Sequence, residues 1–166
     1  MLDGALLQAV FDPIIPGFML TRERAAAFDG GPRAARRWAC FILLAGDAAD
    51  DPRTLDEWAR AAGVSRSVLI EACARLGVHP RDARDLASML RLVRRVGDPW
   101  DPELALDVAD RRTLRALLTR SGLDTAARGP RPTPEQFLLR QRFVPQTSPG
   151  LDALRHLLGR AAHLTH

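Results

Sequence analysis

The segment Thr54-Leu-Asp-Glu-Trp-Ala-Arg-Ala-Ala-Gly63-Val-Ser65-Arg-Ser-Val-Leu69-Ile-Glu-Ala-Cys73-Ala-Arg-Leu-Gly77-Val constrains this fold more than any other part of the chain. Thr54-Leu-Asp-Glu57 is a capping box, in which the Thr hydroxyl takes the third amide and the Glu reaches back to the cap. A short helix over Leu55–Ala62 follows. Ala59 is small where two helices must cross closely, and Gly63 falls where a tight turn needs positive φ. Val64 and Leu69 plug the angle between the helices. Ser65 caps a second helix that runs to about Leu76, and Gly77 stops it. The pattern predicts a helix-turn-helix unit, whose second helix suits a DNA major groove.

The remainder reads as helix after helix. No alternating run and no Asn-Gly or Asp-Gly hairpin signal is present, so we expect an all-α helix-turn-helix bundle of eight to nine helices at most. Residues 1–31 form a helical lead-in, in which Leu2, Leu6, Val10 and Ile14 recur until Pro13 and Pro16 break the pattern. Pro32 suits the first turn of a helix over about Arg33–Ala45. Its run Trp38 to Ala45 is apolar almost all round, which predicts the most buried helix or a subunit contact. Pro80 starts a long connecting helix over 80–96, with a core stripe of Ala83, Leu86, Ala87, Leu90 and either Val93 or Arg94. Residues 124–132 read as a linker. Thr133-Pro-Glu-Gln136 is a second capping box opening a helix to about Val144. A terminal helix covers about Leu151–Ala162, so residues 133–162 are expected to form a C-terminal helical segment.

Residues 53–95 resemble the AraC-type transcriptional regulators. The matching residues are Trp58-Ala59, Gly63-Val64-Ser65, Leu69, Cys73 and Gly77-Val-His-Pro80 ahead of the connecting helix. Members of that family carry a second unit, and residues 101–122 stand in its place, completing a DNA-binding domain over 32–122. There Asp110 matches the cap, and Leu114 and Leu118 match the two core positions. Val108-Ala109 replaces the family's glycine-aromatic turn, which makes this second unit a degenerate one.

The resemblance implies a transcriptional regulator that binds double-stranded DNA without a cofactor. It places Ser65, Arg66, Ser67, Ile70, Glu71 and Ala74 on the groove side of the first recognition helix. Family members usually carry Arg where Glu71 stands. Ile70 suits a thymine methyl and Glu71 a cytosine amino group, a sparse set of base readers. Arg111, Arg112 and Arg115 lie on one side of the second recognition helix, and Arg reads guanine bidentately. Arg53, Arg60, Arg75, Arg81 and Arg84 are candidates for phosphate contacts. Each of these arginines also has a plain reading as a solvated helix face. Ile70 and Glu71 favour the alternative, an interaction module of helix-turn-helix ancestry that acts through a protein partner.

Composition narrows the field further. All 24 basic residues are Arg, so the high pI reflects residue choice, as in a GC-rich coding genome, and the net charge is only +4. That charge permits a polyanion without demanding one. The longest apolar run is far short of the roughly 20 residues of a membrane span. The N-terminus has no signal-like pattern, and Cys40 and Cys73 sit in apolar helical sequence, so we expect reduced cysteines and a cytoplasmic protein. The histidines (His79, His156, His163, His166) show no metal-ligand spacing, and no phosphate loop or nucleophile motif occurs, so neither an enzyme nor a metal site is expected. Members of the family usually carry a ligand-sensing domain, and the 31 residues before Pro32 lead us to expect none built in. The apolar helix 38–45 and the C-terminal residues Phe137, Leu138, Phe143, Leu151, Leu154, Leu157 and Leu158 suggest a homodimer or protein partner through the flanks. Trp58 is expected as a core anchor, and Trp100 as core or a loop cap.

Overall fold

The structure is a computed structural model and describes residues 31–95, 110–123 and 130–164. Among the described residues the chain is all-α, with seven helices and no strand. They are α1 (Pro32–Asp47), α2 (Leu55–Ala61), α3 (Arg66–Arg75), α4 (Pro80–Arg95), α5 (Arg111–Ser121), α6 (Pro134–Arg140) and α7 (Pro149–Leu164). The lead-in before Gly31, the short helix expected over 101–106, Trp100 and most of the linker lie outside the described residues.

The run Trp38 to Ala45, apolar almost all round, makes α1 the axis of the fold. Trp38, Ala39, Cys40, Phe41 and Ile42 are completely buried, and α1 packs mainly on α4 and α7. Each of the large side chains contributes about 1.5–3 kcal/mol by leaving water. The last carbonyls of α1 and the chain just beyond it are satisfied by α4. Arg95 donates to the Asp47 carbonyl at 2.7 Å and Arg91 to that of Ala49 at 2.6 Å, while Arg94 pairs with the Asp47 carboxylate at 2.8 Å. Cations at a helix C-terminus also complement its dipole.

Helix α4 works along two stripes. Ala83, Leu86, Ala87, Leu90 and Val93 are buried, as the sequence predicts, with Met89 and Leu92 beside them. A polar stripe three or four residues apart pins the loop that leads into α2. Here Arg84 donates to the Arg53 carbonyl at 2.6 Å and the Ser88 hydroxyl to Asp51 at 2.9 Å. The loop is therefore held along its length before the Thr54 cap starts α2.

The C-terminal part departs from the sequence expectation in two ways. Helix α6 ends at Arg140 rather than near Val144. Gln141 turns extended, its side chain accepting from the Phe143 and Val144 amides at 2.8 and 3.0 Å and donating to the Val144 carbonyl at 2.9 Å. Those local bonds replace the helical ones, and Pro145 disfavours helix at the residue before it. Nor do α6 and α7 stand apart from the rest. Phe137, Leu138, Phe143, Leu151, Leu154, Leu157 and Leu158 join α1 and α4 in one core. The apolar side chains expected to meet a second copy are thus used within the chain. Among the described residues only Ile70 and Leu139 are large exposed apolar side chains.

Candidate nucleic-acid interface

The turn between α2 and α3 is built by its own backbone. Gly63 takes φ 66°, the Val64 amide donates to the Ala59 carbonyl at 2.9 Å, and the Gly63 amide donates to that of Arg60 at 3.1 Å. Thr54 and Glu57 close the capping box at 3.2 and 3.1 Å, and Ser65 accepts from the Val68 amide at 3.3 Å. Trp58 is fully buried, and its indole N–H donates to the Phe41 carbonyl at 2.9 Å, which fastens α2 to α1. Leu69, Ala72 and Cys73 face the core. The open side of α3 consequently carries Arg66, Ser67, Ile70 and Ala74. Arg66 lies 3.5 Å from Asp56 of α2, both in water.

Glu71 and Arg75 are not presented with that set. Glu71 accepts from Arg75 at 2.6 Å, an i,i+4 pair, and the Arg75 side chain is only 18% exposed. Both line a small crevice with Ala34, Arg37, Val68 and Ala72, between α1 and α3. Burial lowers the Arg37 pKa, the facing Glu71 charge opposes that shift, and Arg75 adds to it. Glu71 is therefore placed among two cations of its own chain. Arg84 is also committed, pairing with Asp85 at 2.9 Å besides its bond to Arg53. Arg53, Arg60 and Arg81 are exposed, with the Arg53 amide donating to Glu57 at 2.7 Å.

Helix α5 begins as expected at Asp110, whose carboxylate accepts from the Arg112 and Thr113 amides, both at 3.1 Å, and from the Thr113 hydroxyl at 2.7 Å. These bonds, the Thr113 hydroxyl foremost, hold its pKa below the ordinary value. Leu114 and Leu118 are buried, and Gly122 ends the helix at φ 70°. Arg111, Arg112 and Arg115 are all exposed, and none has an ion-pair partner among the described residues. Arg120 sits on the opposite duty, 2.5 Å from Asp82 and 3.6 Å from Asp85 of α4, with the Phe143 ring 4.7 Å away. Sequence reasoning missed this tie; the i,i+3 acid pair at the start of α4 was the available signal.

Helix ends distinguish α3 and α5 from most of the others. Helices α2, α4, α6 and α7 place an acid in the first turn, where the positive end of the dipole favours it. Helices α3 and α5 have none there and start with Arg66 and with Arg111 and Arg112; α1 also lacks one. No protein-family model, no curated protein and no solved structure matches the chain. No helix among the described residues is long and apolar enough to cross a membrane.

Proposed function

We propose that this chain is a cytoplasmic DNA-binding regulator of AraC-type helix-turn-helix class, with α3 and α5 as its groove-facing helices. The observation that carries the reading is the start of α5. Three exposed arginines without ion-pair partners among the described residues lie on the first two turns of α5, Arg111 and Arg112 in the first turn beside the Asp110 cap. A cation in the first turn opposes the helix dipole; the Asp110 carboxylate offsets part of that for Arg111 and Arg112, and a bound phosphate would favour both further. Arginine there serves either a phosphate or the O6/N7 edge of guanine. The capped α2–turn–α3 unit and the pinned helix α4 support the reading. The test is anisotropy of a labelled random-sequence duplex at about 50 and 200 mM salt. Steep weakening with salt is expected, and Arg111→Ala/Arg112→Ala should lower the log–log slope by about 0.9 per lost phosphate contact. Flat or absent binding overturns the reading.

One observation favours a protein-facing alternative. The open face of α3 carries the 37% exposed Ile70, and its acid is held by Arg75. A module of this kind binds a protein partner stably and shows no salt-sensitive affinity for DNA.

A further inference from the structure

The chain after α6 forms a braced strap against the C-terminal end of α5. The Arg142 amide donates to the Arg120 carbonyl at 2.7 Å, one of the carbonyls that α5 leaves without a helical partner. A Cβ on Gly122 would lie 2.7 Å from the Arg140 carbonyl oxygen, so the two segments touch backbone to backbone. Inside the strap Gln141 is 2% exposed and makes the three bonds described above. Gln146 ties it from below, donating at 3.1 Å to both the Leu138 and Gln141 carbonyls and accepting from Arg155. A buried polar network with its partners in place is rigid.

The extended backbone at Gln141 decides what this rigidity presents. Gln141 and Phe143 are buried with Arg142 exposed between them, and Arg140, the last residue of α6, is exposed just before. Neither has an ion-pair partner among the described residues. Helix α5 is roughly 16 Å long at 1.5 Å per residue, longer than the ~12 Å width of a major groove. A helix that enters the groove by its first turn leaves its far end over the flanking sugar–phosphate strand. We propose that Arg140 and Arg142 are a second phosphate-contact element, held by the Gln141 strap to grip the duplex backbone beside α5. This rests on the DNA reading above and adds an element outside the helix-turn-helix units. Complementing the α5 dipole needs no such bracing, because free surface side chains do that equally well.

The experiment compares the full chain, Arg140→Ala/Arg142→Ala, Arg140→Lys/Arg142→Lys and Arg111→Ala/Arg112→Ala, titrated onto a labelled random-sequence duplex across salt. The alanine pair is expected to lower the log–log salt slope by about two, so between about 50 and 200 mM it loses roughly tenfold less affinity than the parent. The lysine pair should keep the slope, and thermal unfolding of both variants at 140 and 142 should match the parent because both positions are exposed. An unchanged slope in Arg140→Ala/Arg142→Ala, with a reduced one in Arg111→Ala/Arg112→Ala, overturns the strap and leaves the DNA reading standing. Absence of salt-dependent binding by the parent overturns both. Transfer of the alanine effect to an acidic protein, with DNA binding intact, would also overturn it.

Discussion

Arg120 of α5 meets Asp82 of α4 at 2.5 Å, and this contact joins α5 to the helix that also holds the loop before α2. Asp85 is 3.6 Å away on the same guanidinium and is itself nearly buried. Removing Arg120 takes a cation from two carboxylates and from the Phe143 ring. We expect Arg120→Ala to lower stability by about 1–2 kcal/mol in urea unfolding, Arg84 remaining as a partner for Asp85. A double-mutant cycle with Asp82→Ala should show coupling of at least about 0.5 kcal/mol. Additive single effects would mean that the pair does not tie the helices.

Two glycines of α7 should respond to the same substitution with opposite signs. A Cβ on Gly150 would lie 2.6 Å from the Trp38 ring and 2.8 Å from Leu76, in the tightest part of the core. Gly159 has nothing within 4 Å. Ala in an open helical site gains up to about 1 kcal/mol over Gly. Overpacking costs about 1–3 kcal/mol. Denaturant midpoints should therefore rise for Gly159→Ala and fall for Gly150→Ala. Equal shifts would contradict the close approach of α7 to α1.

The parts of the fold that were legible in the sequence are those whose bonds are local. Thr54 with Glu57, Ser65, Gly63, Asp110 and Thr133 with Gln136 all act within a few residues, and each forms as read. The apolar stripe of α4 was equally plain. Glu71 was illegible because Arg37, one of its two cations, arrives from α1 through tertiary packing. The end of α6 was hidden for a different reason: the helical pattern continues past Arg140, and the competing bonds from Gln141 to Phe143 and Val144 are local but carry no familiar turn signal. For the candidate site, the pattern showed which arginines share a helix side, but not which were already paired.

Acid should loosen the helix starts before it affects the core. Backbone amides of Arg53 and Thr54 hold the Glu57 carboxyl below its usual value, and the Thr113 hydroxyl with two amides does so for Asp110. A carboxylate with a lowered folded pKa stabilises above its unfolded value of about 4 and loses that contribution as pH falls through the folded value. These two groups therefore leave stability flat from about pH 5 to 8 and reduce it below about pH 4. Asp110→Asn keeps a capping oxygen without the charge, so its urea midpoint should fall less steeply with acid than the parent's. Identical acid slopes would remove Asp110 from that role.

The thiols should be silent in the native state. Both cysteines are free and buried, and burial pushes Cys40 up to about 12 and Cys73 to about 11. The thiolate is the reactive form, so at about pH 8 neither should react with a thiol reagent on the time scale of minutes. Both should react at once in denaturant. Rapid labelling of the folded chain would place one of these side chains outside the core.

Glu71 separates the role read from the sequence from the one the packing gives it. If it meets Arg75 and Arg37 only, Glu71→Ala leaves two like charges facing across the α1–α3 crevice. Stability should fall by about 0.5 kcal/mol, a modest value because the carboxylate is 42% exposed and water screens the pair. DNA affinity and base preference should stay as they are, since no reader has been removed. Selection of bound sequences from a randomised duplex pool checks this directly. A preference for cytosine that disappears with Glu71→Ala would return Glu71 to the groove and show that Arg75 releases it on binding. An unchanged sequence preference, with the stability loss, would make Glu71 part of the scaffold behind α3.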